Sequence, residues 1–154
     1  MGTGTFSQIY IQIVFAVRGR RSLIHHSWED ELFKYITGVI QNKGQKLLAI
    51  NGVEDHIHIL IGMRPTCCLS DLVREVKKAS TVFVNERKFA KIHFQWQNGY
   101  GAFSYSQSAM SNVIRYIERQ KQHHRKTSFK EEYVGFLKTY AVAYQDQYLF
   151  DWIE

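Results

Sequence analysis

Between Phe6 and Lys126 the spacing of apolar residues switches repeatedly between a period of two and a period near 3.6, and this succession of strand-like and helix-like segments leaves few folds open. "FSQIYIQIVFAVRGR" alternates at its start and is rich in β-branched and aromatic residues, which predicts a strand at about 5–18. "SWEDELFKYITGVIQNKG" predicts a helix, with Ser27 as N-cap, acidic residues in the first turn and Gly44 at the stop. "QKLLAINGVEDHIHILIGM" predicts two strands about the turn "NGVED", because Asn-Gly accepts the positive φ of hairpin turns. "LSDLVREVKKASTVFVNER" places Leu69, Leu72, Val73, Val76 and Ser80 at helical spacing. A fourth strand in "IHFQWQNGYGAFSYS" and a helix at about 108–126 follow. The order βαββαβ plus a further helix predicts an α+β fold: a four-stranded antiparallel sheet with helices on one face, ferredoxin-like or RRM-like. A length of 154 residues suits one domain over 1–154, with a core at about 5–126 and a helical, aromatic tail at about 127–154.

Two histidines interrupt the most apolar of these strands. In "VEDHIHILIG", His56 and His58 stand two apart, so on a strand they share a face and their imidazoles can converge on one point. That is a metal-ligand spacing, and it equally suits two partly buried histidines satisfied by local hydrogen bonds. On the helix at 108–126, Tyr116 and Gln120 are four apart and lie one above the other, beside an apolar stripe of Met110, Val113, Ile114 and Ile117. Taken alone, Tyr116 reads as an amphipathic residue at the edge of the core.

Hydrophobic residues at 45% and charged residues at 22% describe an ordinary globular chain, and a net charge of +6 makes an anionic partner plausible, with nucleic acid the first candidate. No apolar run approaches the roughly 20 residues that span a bilayer. The opening "MGTGTFSQIY" lacks the layout of a secretory leader, so no membrane association and a cytoplasmic location are expected. Cys67 and Cys68 are adjacent, which disfavours a disulfide between them; they read as reduced packing residues.

Together, His56-Ile57-His58, "YIERQ" about 60 residues later, "WQNGYGAFS" between them and the opening "YIQIVFAVRGR" resemble the single-tyrosine HUH transposases of the insertion-sequence 200/605 type, over roughly residues 6–152. The resemblance implies a DNA transposase that cuts and rejoins single-stranded DNA at hairpin-bearing element ends. It implies Tyr116 as nucleophile, forming a 5′-phosphotyrosine intermediate while a 3′-hydroxyl departs, and His56, His58 and Gln120 as metal ligands. It also implies Mg²⁺ or Mn²⁺, although imidazole suits softer ions than magnesium, and a homodimer in which the histidines of one subunit meet the tyrosine of the other. No P-loop is present, in keeping with an exchange of one phosphodiester for another.

The surrounding residues add weaker signals. Arg74, Lys77 and Lys78, with Arg87, Lys88 and Lys91, form the densest basic stretch and are assigned to phosphate contact. Glu54 and Asp55 read as turn carboxylates, with orientation of an imidazole as the alternative. His123 and His124 read as a solvated basic helix end, and Trp96, Tyr100, Phe103 and Tyr105 as core-filling aromatics. Tyr100 and Tyr105 are rival nucleophiles without a ligand at helical spacing. Two other functions fit the same pattern: a relaxase or nicking-type HUH endonuclease, and a non-catalytic RRM-like nucleic-acid-binding module.

Overall fold

The computed structural model describes residues 4–153. Four strands, β1 (Tyr10–Ala16), β2 (Lys46–Gly52), β3 (His56–Gly62) and β4 (Gly101–Tyr105), form one sheet in the order β2-β3-β1-β4. Every neighbouring pair is antiparallel. Helices α1 (Glu29–Asn42) and α2 (Leu69–Arg87) make the crossovers, giving the ferredoxin-like arrangement that the periodicities predict. Three further helices follow: α3 (Met110–Glu118), α4 (Gln120–His123) and α5 (Phe129–Thr139). None of the helices is long and apolar enough to cross a membrane among the described residues.

The inner strands β1 and β3 are apolar because both sheet faces are covered. On one face Ile13, Phe15, Ile57, Ile59 and Ile61 pack against Leu32, Ile36 and Ile40 of α1 and Leu72, Val76 and Val84 of α2. Each such fully buried side chain is worth about 1.5–3 kcal/mol relative to exposure. Trp96 and Phe103 are core residues, as expected; the indole of Trp96 stands edge-on to Phe15 at 4.7 Å and donates to Ser80 Oγ at 2.9 Å.

Strand alternation puts His56, His58 and Leu60 on the opposite face. The register aligns His58 with Val14 and Asn51, and Leu60 with Gln12 and Ala49. There α3 lays Met110, Val113 and Ile117 against Ala49 and Leu60. The rest of that face lies under α5, where Phe136 meets Phe103 at 5.3 Å and Tyr133 presses on Gly101, whose missing Cβ would sit 2.7 Å from the ring. Both faces of the sheet are thus closed by helices.

Local expectations differ from the structure at three points. Ser27 is not the N-cap of α1: Trp28 holds that position without a side-chain bond, and Ser27 Oγ pairs with His25 Nδ1 at 2.8 Å. Asn51 and Gly52 belong to β2 rather than to the turn, which runs from Val53 to Asp55. Gly52 is required there by close approach, since a Cβ would lie 2.4 Å from the His56 carbonyl oxygen. The helix expected at 108–126 is broken at Arg119 (φ −98°, ψ 19°), next to the point where the Asn51 amide reaches across from β2 and donates to the carbonyls of Ile117 at 3.0 Å and Glu118 at 3.1 Å.

Candidate active site

The two histidines of β3 are completely buried and their rings are oriented from behind. His56 Nδ1 donates to Asp55 Oδ1 at 2.7 Å, and His58 Nδ1 meets Gln12 Oε1 at 2.7 Å. The Gln12 amide nitrogen is itself spent on the Tyr105 hydroxyl at 2.7 Å, so its carbonyl faces His58 and can only accept. Both imidazoles therefore turn Nε2 toward the same point, the arrangement in which a partner on one ring nitrogen fixes the other for a ligand. Asp55 takes the orienting role that the sequence left as the alternative.

The facing wall comes from the C-terminal helices. Tyr116 near the end of α3 and Gln120 at the start of α4 both reach this point despite the break between them. Ser128 caps α5 in a reciprocal box with Glu131, and from that fixed start the buried Phe129 and Glu132 and the half-buried Phe136 fall on one inward stripe. The Glu132 carboxylate ends in the middle of the cluster. Its Oε1 lies 3.1 Å from His56 Nε2, 3.1 Å from His58 Nε2 and 3.0 Å from His124 Nε2. Its Oε2 accepts from the Tyr116 hydroxyl and, at 3.2 Å, from Gln120 Nε2. Gln120 Oε1 is buried without a hydrogen-bond partner among the described residues.

The electrostatics follow from burial and these contacts. Burial pushes His58 down to about 4, only partly opposed by Glu132, so its ring is neutral near pH 7. For His56 burial works in the same direction, but the hydrogen bonds to Asp55 and Glu132 outweigh it and raise the ring above its ordinary value. Burial also opposes ionisation of Glu132, yet hydrogen bonding to His124, His56 and His58 prevails and holds the carboxyl well below the usual carboxylate range. Burial and the charge of Glu132 lift the Tyr116 phenol far above its ordinary value, so the resting hydroxyl keeps its proton.

His56, His58, Tyr116 and Gln120 thus meet in one chain, with the Tyr116 ring centroid 6.0 Å from that of His58. A tyrosine from another subunit is not needed to complete the cluster. Tyr105 is joined to His58 only through Gln12, and Tyr100 lines a separate cavity. Sequence reasoning missed two members. His124 is no solvated helix end; its side chain is 9% exposed and faces Glu132. Glu132 carried one readable sign, a carboxylate at i+3 from Phe129 and i−4 from Phe136 on an apolar helical stripe.

The expected basic stretch divides. Arg74, Lys77 and Lys78 border a cavity of about 560 Å³ with Arg18 and Tyr100, whereas Arg87, Lys88 and Lys91 do not line it. Lys77 is committed to holding a loop, donating to the Gln97 and Gly99 carbonyls at 2.8 and 2.6 Å, and burial lowers it to about 8. Closer to the cluster, a cavity of about 520 Å³ opens beside Tyr116 and is bordered by Arg115, Arg119, Arg125 and Lys126. None of these four cations takes part in an ion pair among the described residues. A second cavity of about 780 Å³ reaches His124 and Asp55 from the other side.

Known proteins share this framework. The chain is 22% identical over 124 residues to the ISDra2 transposase TnpA of Deinococcus radiodurans, covering 77% of this chain and 89% of that protein. A crystal structure from Deinococcus radiodurans R1, of a protein assigned as a transposase, superposes with a TM-score of 0.63 at 22% identity over 78% of this chain and 96% of that one. A REP-associated tyrosine transposase bound to a REP hairpin gives a TM-score of 0.58 at 18% identity, over 80% of this chain and 74% of the other. These likenesses establish a shared fold. The sequence profile described as "Transposase IS200 like" matches residues 5–120, three-quarters of the chain and the whole sheet with its tyrosine helix, so the chain belongs to the IS200-like transposase family.

Proposed function

We propose that this transposase cleaves and rejoins single-stranded DNA at hairpin-bearing ends, with Tyr116 as nucleophile and His56, His58 and Gln120 as ligands of Mg²⁺ or Mn²⁺. The observation that carries the reading is the meeting of the Tyr116 hydroxyl with the His56–His58 pair around one buried carboxylate. The donor set fits a divalent cation. With Nδ1 of His58 donated to Gln12, a neutral ring turns its bare Nε2 toward a carboxylate oxygen 3.1 Å away, two acceptors face to face. Gln120 Oε1, without a hydrogen-bond partner among the described residues, is a further oxygen donor in the same wall. A bound cation would polarise the scissile phosphate and offset the charge that builds on its oxygens.

The chain's own groups do the rest. Asp55 and Gln12 lock the two rings in place. The strand reaches Tyr116 along the cavity bordered by Arg115, Arg119 and Arg125, whose guanidiniums pair with phosphates. The phenol oxygen attacks phosphorus, its proton leaves toward the carboxylate it already touches or to water, and the 3′-oxygen departs. A later 3′-hydroxyl attacks the phosphotyrosine and restores a phosphodiester. Closed sheet faces disfavour the RRM-like module, which reads RNA on an open one. A homodimer remains part of the reading, with each site assembled within its own chain.

The test is covalent capture. Incubating the purified chain with a labelled single-stranded element end and Mn²⁺ gives a protein–DNA adduct that disappears in Tyr116→Phe. An adduct that persists in that variant moves the nucleophile elsewhere.

A further inference from the structure

The family profile ends at residue 120, yet two of the side chains that converge on the histidine pair lie beyond it. Resting on the reading above, we propose that His124 and Glu132 are further metal ligands, adding a third imidazole and a carboxylate to the His56, His58 and Gln120 site within one chain.

Four donor atoms carry the argument. His56, His58, His124 and Glu132 each offer one ligand atom, and the four lie within 4.8 Å of one another. The separations of 3.0–3.1 Å from Glu132 Oε1 to the three Nε2 atoms match the edges of an octahedral coordination site with bonds of about 2.0–2.2 Å. Hydrogen bonds alone do not satisfy this arrangement, because one carboxylate oxygen would have to accept from three rings, and the His58 ring, with its Nδ1 hydrogen given to Gln12, turns a bare Nε2 to that oxygen. His124 is placed by the first residues after α4 and Glu132 by the capped start of α5, so the loop between them holds both donors against β3. Glu132 then has two tasks, with Oε1 toward the metal position and Oε2 toward the Tyr116 hydroxyl. Three imidazoles favour an ion that accepts nitrogen, such as Zn²⁺, Co²⁺ or Mn²⁺, over Mg²⁺.

Metal binding tests this without recourse to activity. The chelator-stripped full chain is titrated with Co²⁺ and followed by its visible absorption, alongside His56→Ala, His124→Ala and Glu132→Gln. One Co²⁺ is expected to bind the unaltered chain, with affinity at least tenfold lower in each variant and a changed absorption band. In the unaltered chain, imidazole ¹⁵N signals of three histidines shift on addition of Zn²⁺, a readout that needs no variant to fold. If only two rings shift, or if His124→Ala and Glu132→Gln bind as the parent while His56→Ala does not, the added ligands are wrong and the histidine-pair reading stands. If the unaltered chain binds no Co²⁺, both fall.

Discussion

The side-chain amide of Asn51 holds the carbonyl of Ile117 at 3.0 Å, tying the end of β2 to the last turn of the tyrosine helix. The same side chain bonds the Glu118 carbonyl at 3.1 Å and accepts from Lys121 Nζ at 3.0 Å, so all its hydrogen-bonding groups are engaged. Replacing Asn51 with Ala removes this tie between β2 and the end of α3. Stability should fall by about 1–2 kcal/mol, read from denaturant midpoints, and single-turnover cleavage should drop by about tenfold as Tyr116 loses its fixed placement. Unchanged cleavage would show that the Asn51 tie does not position Tyr116.

Because one chain brings Tyr116 to its own histidine pair, mixing His56→Ala with Tyr116→Phe should leave the mixture as inactive as either parent. Every site in such a heterodimer lacks one essential group. Recovery of adduct formation in the mixture would mean that the tyrosine helix is exchanged between subunits, the arrangement that the family resemblance suggested.

The cations beside Tyr116 give a prediction in salt. If Arg115, Arg119 and Arg125 each neutralise one phosphate of a single strand, changing any of them to Ala lowers the slope of log affinity against log salt by about 0.7. The same change at Arg87, which is paired with Glu31, should leave the slope unaltered. Fluorescence anisotropy over a range of salt concentrations measures both.

Protonation of the histidines makes stability depend on pH in metal-stripped protein. His58 is lowered from 6.5 to about 4 in the folded chain, so between those values the unfolded chain binds the extra proton and stability falls as the solution is acidified. At about 1.4 kcal/mol per pH unit, the full effect is about 3 kcal/mol. His56 acts oppositely, its raised value stabilising the fold at low pH and fading as pH rises through it. The decline between pH 6.5 and 4 should therefore be shallower in His58→Asn than in the parent, as urea melts at each pH would show. Equal slopes would contradict a neutral, buried His58.

Much of this architecture was readable in the residues. The strands and first two helices follow from the alternation of periods, α2 within its quoted segment, because local amphipathicity fixes local structure. The pairing of His56 with His58 followed from strand geometry alone. Asn51 shows where such reading stops: Asn-Gly is a turn signal nearby in sequence, but here the amide serves a helix 66 residues away. His124 and Glu132 were hidden for the same reason, since a histidine in "KQHHRK" and a glutamate in "FKEEY" acquire meaning only when α5 folds back over the sheet. Tyr116 was singled out by family likeness and by Gln120 one turn along its helix, because taken alone it reads as a core-edge residue.

The histidine pair sits on a strand enclosed between β2 and β1 and buried along nearly its whole length. Its amides should be among the last to exchange with solvent, so the two rings form a rigid anvil and local opening is expected in the helices opposite rather than in the sheet. Any loosening that admits a DNA strand must then come from the C-terminal side, by yielding of the helices rather than of the sheet.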